Sequence, residues 1–390
     1  MTQREGNPKK EDPMSGEKDA FLQKHDLYGC FQCGKCTGGC PVSLKSDLNI
    51  RRLMIEVLLR DNLGPIVRGE EIWDCTTCKT CTLRCPRGLE PMNLLIGLRT
   101  LLVEEGHIPK TLIDALESAY KYGNPWNAAK NKRSDWAHEL TLKVLPQGDQ
   151  AANLYFVCCT AAYDTRLQNV ARCLVHCLRQ IEYDFATLGD EEICCGSEIR
   201  RMGEEGLFEI LMHGNIESFK KYDIRSIVTT SPHCYNTIKN DYAADGLEVR
   251  HYTQVLAEAI GKKNPFSGEI KKVITYHDPC FLGKQNRIFD EPRDILKNIP
   301  GVTLVDFDRS RENSLCCEGG GGRMWVEASG QGPRLAETRI QDAVEMGAEI
   351  LATACPFCLL TFEDAVKTTG NEERLRVMDI TEILDEALCE

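Results

Sequence analysis

No stretch of the chain approaches the roughly 20 consecutive apolar residues that a membrane-crossing helix requires, which argues against direct membrane insertion. The opening residues, MTQREGNPKK, contain no apolar core of a secretory signal, so the expected location is cytoplasmic. Positive charge is in deficit. The 47 Lys and Arg face 59 Asp and Glu, for a formal net charge of −12, which argues against nucleic acid as a partner. No flavin fingerprint occurs, and the four glycines Gly319 to Gly322 run into RMW rather than the Lys-Ser/Thr of a phosphate loop. Length and composition set no such limits: 390 residues with 42% hydrophobic content suffice for two or three domains with ordinary cores.

What the chain has in excess is cysteine, 21 in all. In an unsecreted protein of this length such a number reads as metal ligands rather than disulfides. All but Cys158, Cys173, Cys177 and Cys389 fall into four patterned sets. Cys30, Cys33, Cys36 and Cys40-Pro41 form one run, and Cys75, Cys78, Cys81 and Cys85-Pro86 repeat it. Both have the bacterial ferredoxin spacing, in which the fourth cysteine serves the other run's cluster. One [4Fe-4S] cubane is therefore expected on Cys30, Cys33, Cys36 and Cys85, and the other on Cys75, Cys78, Cys81 and Cys40. Zinc ribbons use paired CxxC elements instead, which opposes a zinc-bound scaffold without redox chemistry.

Beyond residue 150 the chain repeats itself. Cys159 and Cys280, Cys194 and Cys316, and Cys234 and Cys358 are separated by 121, 122 and 124 residues. Around these thiols strand-like runs (154–157 and 273–276; 226–230 and 349–353) alternate with helical stretches (216–221 and 339–344), so each half reads as an α/β unit with thiols at strand ends. The expected architecture is a multidomain α+β and α/β protein. Residues 1–20 form a flexible arm, 21–108 a helical ferredoxin-like 2[4Fe-4S] domain with a helix over 48–60, and 109–150 a helical linker. Two tandem cysteine-rich domains complete the chain, over 151–265 and over 266–390, the latter including the C-terminal tail.

The second half holds five thiols, Cys280, Cys316, Cys317, Cys355 and Cys358, one more than an ordinary cubane uses. The first half holds Cys159, Cys194, Cys195 and Cys234, which suffice for a [4Fe-4S] cluster or for zinc. Gly319, Gly320, Gly321 and Gly322 are expected to let backbone N–H groups approach cluster sulfurs. His277, Asp278 and His233 are ionisable groups beside thiols, able to move protons or simply to hydrogen-bond and pack. Arg323 reads as a counter-charge, an anion site or an ion pair. Cys173 and Cys177, four apart on a helical stretch over 170–178, read as core packing.

The N-terminal text GCFQCGKCTGGCP (29–41) with DCTTCKTCTLRCPRG (74–88) resembles the C subunit of heterodisulfide reductases, and the remainder resembles the B subunit with its paired "CCG" domains. As one polypeptide the arrangement is similar to the fused D-type subunit. That resemblance implies a non-cubane [4Fe-4S] cluster at Cys280, Cys316, Cys317, Cys355 and Cys358. It also marks departures: Ser231 stands where the family has the first cysteine of CPxC, Glu318 where it has glycine, and Cys158 where it usually has glycine. Cys159 reads as the ligand of the Cys158–Cys159 pair, while Glu318 reads as a proton donor, an iron ligand or an outward surface residue.

Two functions are implied by the resemblance. One is an electron-transfer subunit of an anaerobic redox complex, as in class II benzoyl-CoA reductases, favoured by the altered first motif. The other is a disulfide reductase acting at the C-terminal site through Cys280, Cys316, Cys317, Cys355 and Cys358, with Glu318 and His277. The expected partners are a heterodisulfide reductase A-like flavoprotein or a cytochrome b-type membrane subunit, with the other redox subunits of a complex.

Overall fold

The computed structural model describes residues 21–60, 69–242, 244–263, 265–327, 329–330 and 332–388. The arm expected over 1–20 and Cys389 lie outside them.

The N-terminal part is helical, with short helices beside the thiols (Lys35–Gly38 and Thr80–Leu83) and longer ones at Ile50–Leu59 and Pro91–Glu104. Its duplication reaches the backbone. Gln32 and Thr77 have φ of 59° and 50°, and Gly34 and Lys79, the residues before the short helices, 78° and 67°. Each run thus folds back on itself by the same left-handed steps, whichever side chain must bear them.

The helical linker expected over 109–150 is an α-helix only at Lys110–Tyr122. Gly123 ends it at φ 68°, and Pro125 prevents its resumption. The rest of the linker is irregular apart from three single 3-10 turns, and it sets Trp136 edge-on to Tyr155 and Trp126 against Trp325.

Two four-stranded parallel sheets come next. The first holds β1 (Asn153–Phe156), β2 (Phe185–Ala186), β3 (Ser226–Thr229) and β4 (Glu248–His251), in the order β2-β1-β3-β4. The second holds β5 (Val273–Tyr276), β6 (Thr303–Val305), β7 (Ile350–Thr353) and β8 (Arg376–Asp379), in the order β6-β5-β7-β8. Leu154 pairs with Ile227, and Ile274 with Ile350, so the central strands share one register in both halves. The central strands read LYF, IVT, ITY and ILAT and are buried, as strands covered on both faces by helices must be.

The two sheets are clasped reciprocally. The C-terminal helix Ile380–Leu388 of the second half packs on Leu167–Gln180 of the first, while Tyr252–Lys262 of the first packs on Asp290–Asn298 of the second. Where the halves meet, Tyr252 donates to Asp379 Oδ1 at 2.8 Å.

Candidate metal centres

The order 2-1-3-4 puts a topological switch between β1 and β3, and between β5 and β7, and open α/β sheets bind ligands outside the carboxyl ends of such strands. The thiols sit there. Cys159 opens the helix after β1; Cys194 and Cys195 follow β2; Cys234 lies in the first turn of Pro232–Asn240 after β3. In the second half Cys280 follows β5, Cys316 and Cys317 follow β6, and Cys355 and Cys358 lie at the start of Pro356–Thr368 after β7.

All five second-half thiols are buried. Cys316 contacts Cys280, and Cys317 contacts Cys316 and Cys358, with 3.2 Å between the Cys317 and Cys358 sulfurs. An imidazole nitrogen of His277 lies within 4.8 Å of both Cys317 and Cys358. Its Nδ1 is buried without a hydrogen-bond partner. Burial, with Arg339 nearby, holds this imidazole well below its ordinary pKa, so it is neutral and available as a ligand or acceptor. The amide of Glu318 donates to Cys316 Sγ at 3.3 Å, and that of Gly319 donates to Cys317.

Gly320 to Gly322 also lie against other parts of the chain. Gly321 lies on the second ferredoxin-like run, where an added Cβ would stand 2.4 Å from the Cys75 carbonyl oxygen. The Gly322 amide donates to Glu198 Oε2 at 2.8 Å. The glycines are there for close backbone approach between domains. Glu318 is not an outward surface residue: it is partly buried, has φ 71° like Gly196 (76°) in the first half, and accepts from the Leu335 amide at 2.9 Å, capping Leu335–Glu345. Arg323 pairs with the buried Asp74 at 3.3 Å.

In the first half Arg133, from the linker, donates to Cys159 Sγ at 3.3 Å and pairs with Glu192, all three buried. Cys194 contacts Cys159 and Cys195, and Cys195 contacts Cys234. The Gly196 amide donates to Cys194 Sγ at 3.4 Å. Cys158 has φ 82° and ψ 139°, a backbone region other than glycine enters at a cost on the order of 1–3 kcal/mol. Glu192 holds it there by accepting from the Val157 and Cys158 amides at 3.0 and 3.2 Å. Cys173 reaches Asp385 at 3.5 Å and Cys177 the Thr381 carbonyl at 3.7 Å, inside the helix clasp and away from the patterned thiols.

His233 joins the two halves. Its Nδ1 is 2.9 Å from Glu198 Oε1, its ring stacks on Phe281 at 3.9 Å, and it contacts Cys355. Burial alone would lower its pKa, but the bonds to Cys355 and Glu198 push it up to about 10.

In the N-terminal part Cys33 is exposed, Cys30 and Cys85 are half-buried and Cys36 is buried, whereas Cys40, Cys75, Cys78 and Cys81 are all buried. Cys40 lies near Cys78 and Cys81 of the other run. Cys78 contacts Cys316, and Cys316 Sγ is 3.2 Å from Thr76 Oγ1. Between them Lys284, buried, donates to Thr80 Oγ1 at 2.9 Å and to the Ser314 carbonyl at 2.6 Å. Burial pushes the Cys75 thiol up to about 12, so this sulfur would not ionise at neutral pH without a metal or counter-charge.

These donor sets fit iron–sulfur clusters: buried unbridged thiols in groups, an unpartnered imidazole nitrogen and buried cations beside sulfur. The sequence agrees. Residues 26–89 match the family described as 4Fe-4S dicluster domain, and 153–239 and 274–363 each match the CCG family, described as Cysteine-rich domain. The D-type heterodisulfide reductase chain of Methanosarcina barkeri is 32% identical over 94% of this chain and 95% of its own length. This chain belongs to the D-type heterodisulfide reductase family. Other relatives of this D-type chain are a probable iron-sulfur-binding oxidoreductase, FadF, of Bacillus subtilis (32% identical, 97% of this chain, 62% of the relative) and an EtfAB:quinone oxidoreductase of Syntrophomonas wolfei (31%, 93% and 58%). The D-type chain thus spans about three-fifths of those longer relatives. A crystal structure of a hypothetical protein from Helicobacter pylori shares the fold, with a TM-score of 0.54 at 11% identity over 98% of this chain and 74% of that one. This chain joins an N-terminal 4Fe-4S dicluster domain to two cysteine-rich domains with parallel sheets and helices, a mixed α/β architecture. Among the described residues no helix is long and apolar enough to cross a membrane.

Lys284, Arg133 and Glu198 do not stand out in the sequence. Lys284 lies four residues after Cys280, a spacing that could have flagged it; the others carry no local signal.

Proposed function

We propose that this chain is the electron-transfer subunit of a multi-subunit anaerobic redox complex, taking electrons from a flavoprotein partner and passing them toward a terminal reductase, as in class II benzoyl-CoA reductase-type complexes. The observation that carries this reading is the contact between Cys78 of the second ferredoxin-like run and Cys316 of the second CCG half. When bound, such clusters take up and release electrons singly, at potentials set by burial and by hydrogen bonds to sulfur. The residues grade the path from surface to core. Cys33 is exposed, and Tyr28 and Phe31 beside it are 65% and 61% exposed, a face suited to a redox partner. Inward, Lys284 places a buried positive charge at the Cys78–Cys316 junction, and the Thr77, Gly196 and Glu318 amides each donate to a thiol two residues back. A relative named EtfAB:quinone oxidoreductase supports a partner on either side of such a path.

The second reading, cleavage of a thiol disulfide at the Cys280–Cys358 site, is favoured by the complete five-thiol set and by a narrow cleft beside it, lined by Lys45, Glu318, Arg323 and Arg334. Burial of all five thiols opposes it. The test is anaerobic: full-length protein, reduced viologen dye and a range of thiol disulfides. The relay reading expects the protein to become reduced stoichiometrically without sustained dye oxidation. Sustained turnover by the isolated chain would overturn it in favour of the reductase.

A further inference from the structure

We propose that Cys158 is the fifth sulfur ligand of the first CCG site, standing in for the cysteine that Ser231 has replaced. The proposal rests on the reading of that site as an iron–sulfur centre. Three observations support it.

In the second half Cys355 is the N-cap residue of Pro356–Thr368, and its sulfur is turned to Cys358 and His233. Its counterpart Ser231 occupies the same N-cap position, but its hydroxyl accepts from the His233 amide at 3.2 Å. Serine has been put to capping, where it excels, and is a poor ligand for iron.

The vacated contact is filled from another direction. In the second half the sulfur of Cys358 meets those of Cys317 and Cys355. In the first half the sulfur of Cys234, the partner of Cys358 in the repeat, meets those of Cys195 and Cys158. Cys158 therefore reaches the first-half group from the β1 side, as Cys355 reaches the second-half group from the β7 side.

The backbone is bent to allow this. Cys158 sits at φ 82° and is held by Glu192. A thiol serving only to fill space would be better replaced there by glycine, which adopts that conformation without strain. The loop of the second half is built differently: β5 ends at Tyr276 and His277, Asp278 and Pro279 precede Cys280, one residue more than separates Phe156 from Cys159. It offers no thiol in the place of Cys158. Cys173 and Cys177 are not alternatives, since both are engaged in the helix clasp.

The experiment uses anaerobically reconstituted full-length protein, with iron and sulfide content, EPR and Mössbauer spectra read alongside thermal stability. Cys158→Gly relaxes the backbone while removing the sulfur. It should fold at least as well as wild type yet lose or alter the first-site spectrum, with up to about four irons lost per chain. Adding Ser231→Cys to Cys158→Gly should restore iron and spectrum, because the thiol returns to the position it holds in the second half. Cys195→Ser is the reference. If it loses iron and Cys158→Gly keeps wild-type iron and spectrum, Cys158 is no ligand, and the iron–sulfur reading of the site stands. If neither variant changes iron or spectrum, the first site holds no cluster, and both the proposal and that reading fail.

Discussion

Replacing Arg99 should loosen the junction on which the electron path depends. Its side chain is fully buried, and its guanidinium donates to the carbonyls of Ile72 and Cys75 in the second ferredoxin-like run (2.8 Å each), Arg201 in the first CCG half (2.9 Å) and Gly321 in the second (2.9 Å), while lying 5.1 Å from the Trp73 ring. One planar fork thus fastens three parts of the chain. Arg99→Met leaves four buried acceptors without this donor, at about 1–2 kcal/mol each. Against this, the variant no longer buries a cation, which returns several kcal/mol. The net loss expected is about 2–4 kcal/mol, a large share of a stability of about 5–15 kcal/mol. Arg99→Lys keeps the charge but cannot reach carbonyls in three directions, so it should lose at least half as much. Urea denaturation of the reconstituted protein measures the loss. Amide hydrogen exchange locates it, with faster exchange expected around residues 72–81 and 319–323 than in the β1 or β5 sheets. A loss below about 1 kcal/mol, or an Arg99→Lys variant as stable as wild type, would refute the reasoning.

Glu318→Gly removes a left-handed non-glycine residue, gaining about 1 kcal/mol, and removes the cap on Leu335, losing about 1 kcal/mol. Thermal melts should therefore shift little and iron content should hold; a large loss of either would mean that the carboxylate does more than cap. Asp379 has its pKa pushed up to about 7 by burial, from 3.8, so the folded state holds its proton more tightly than the unfolded one. The stability this confers is complete below pH ~4 and is lost as pH rises toward 7, at up to about 1.4 kcal/mol per pH unit. Asp379→Asn should flatten the melting temperature between pH 5 and 7, and an unchanged slope would show that another group sets it.

The iron–sulfur character of the chain is legible in the sequence because cysteine spacing is local, and the duplication because it recurs at steady separations. Strands β1, β3, β5 and β7 lie within a residue or two of where their apolar runs place them. The features that escape such reading depend on conformation or on distant partners. Ser231 directly before Pro232 carries an ordinary helix-start signal that the cysteine pattern masks, but nothing around Cys158 shows that its backbone turns the thiol toward Cys234. Arg99, Arg133 and Lys284 belong to residue types that normally face solvent, and only the assembled interfaces bring them against carbonyls and sulfur. Gly320 and Gly321 add a further case: their need for space is legible, but the backbone that takes up that space, at Cys75 and Thr76, comes from a distant part of the chain.

The reciprocal clasp between the halves has a consequence for how their sites can change. Each half covers its first long helix with the last helix of the other, so two separate copies of a single half could bury the same faces as a symmetric dimer, and any substitution would then appear twice. Joined in one chain, the copies share packing but not sequence. One can trade a cysteine for a helix-capping serine and recruit a thiol from a neighbouring loop while the other keeps its five sulfurs. The clasp also means that neither half can be cut away without uncovering the other, so the altered site persists as part of the scaffold that holds the intact one.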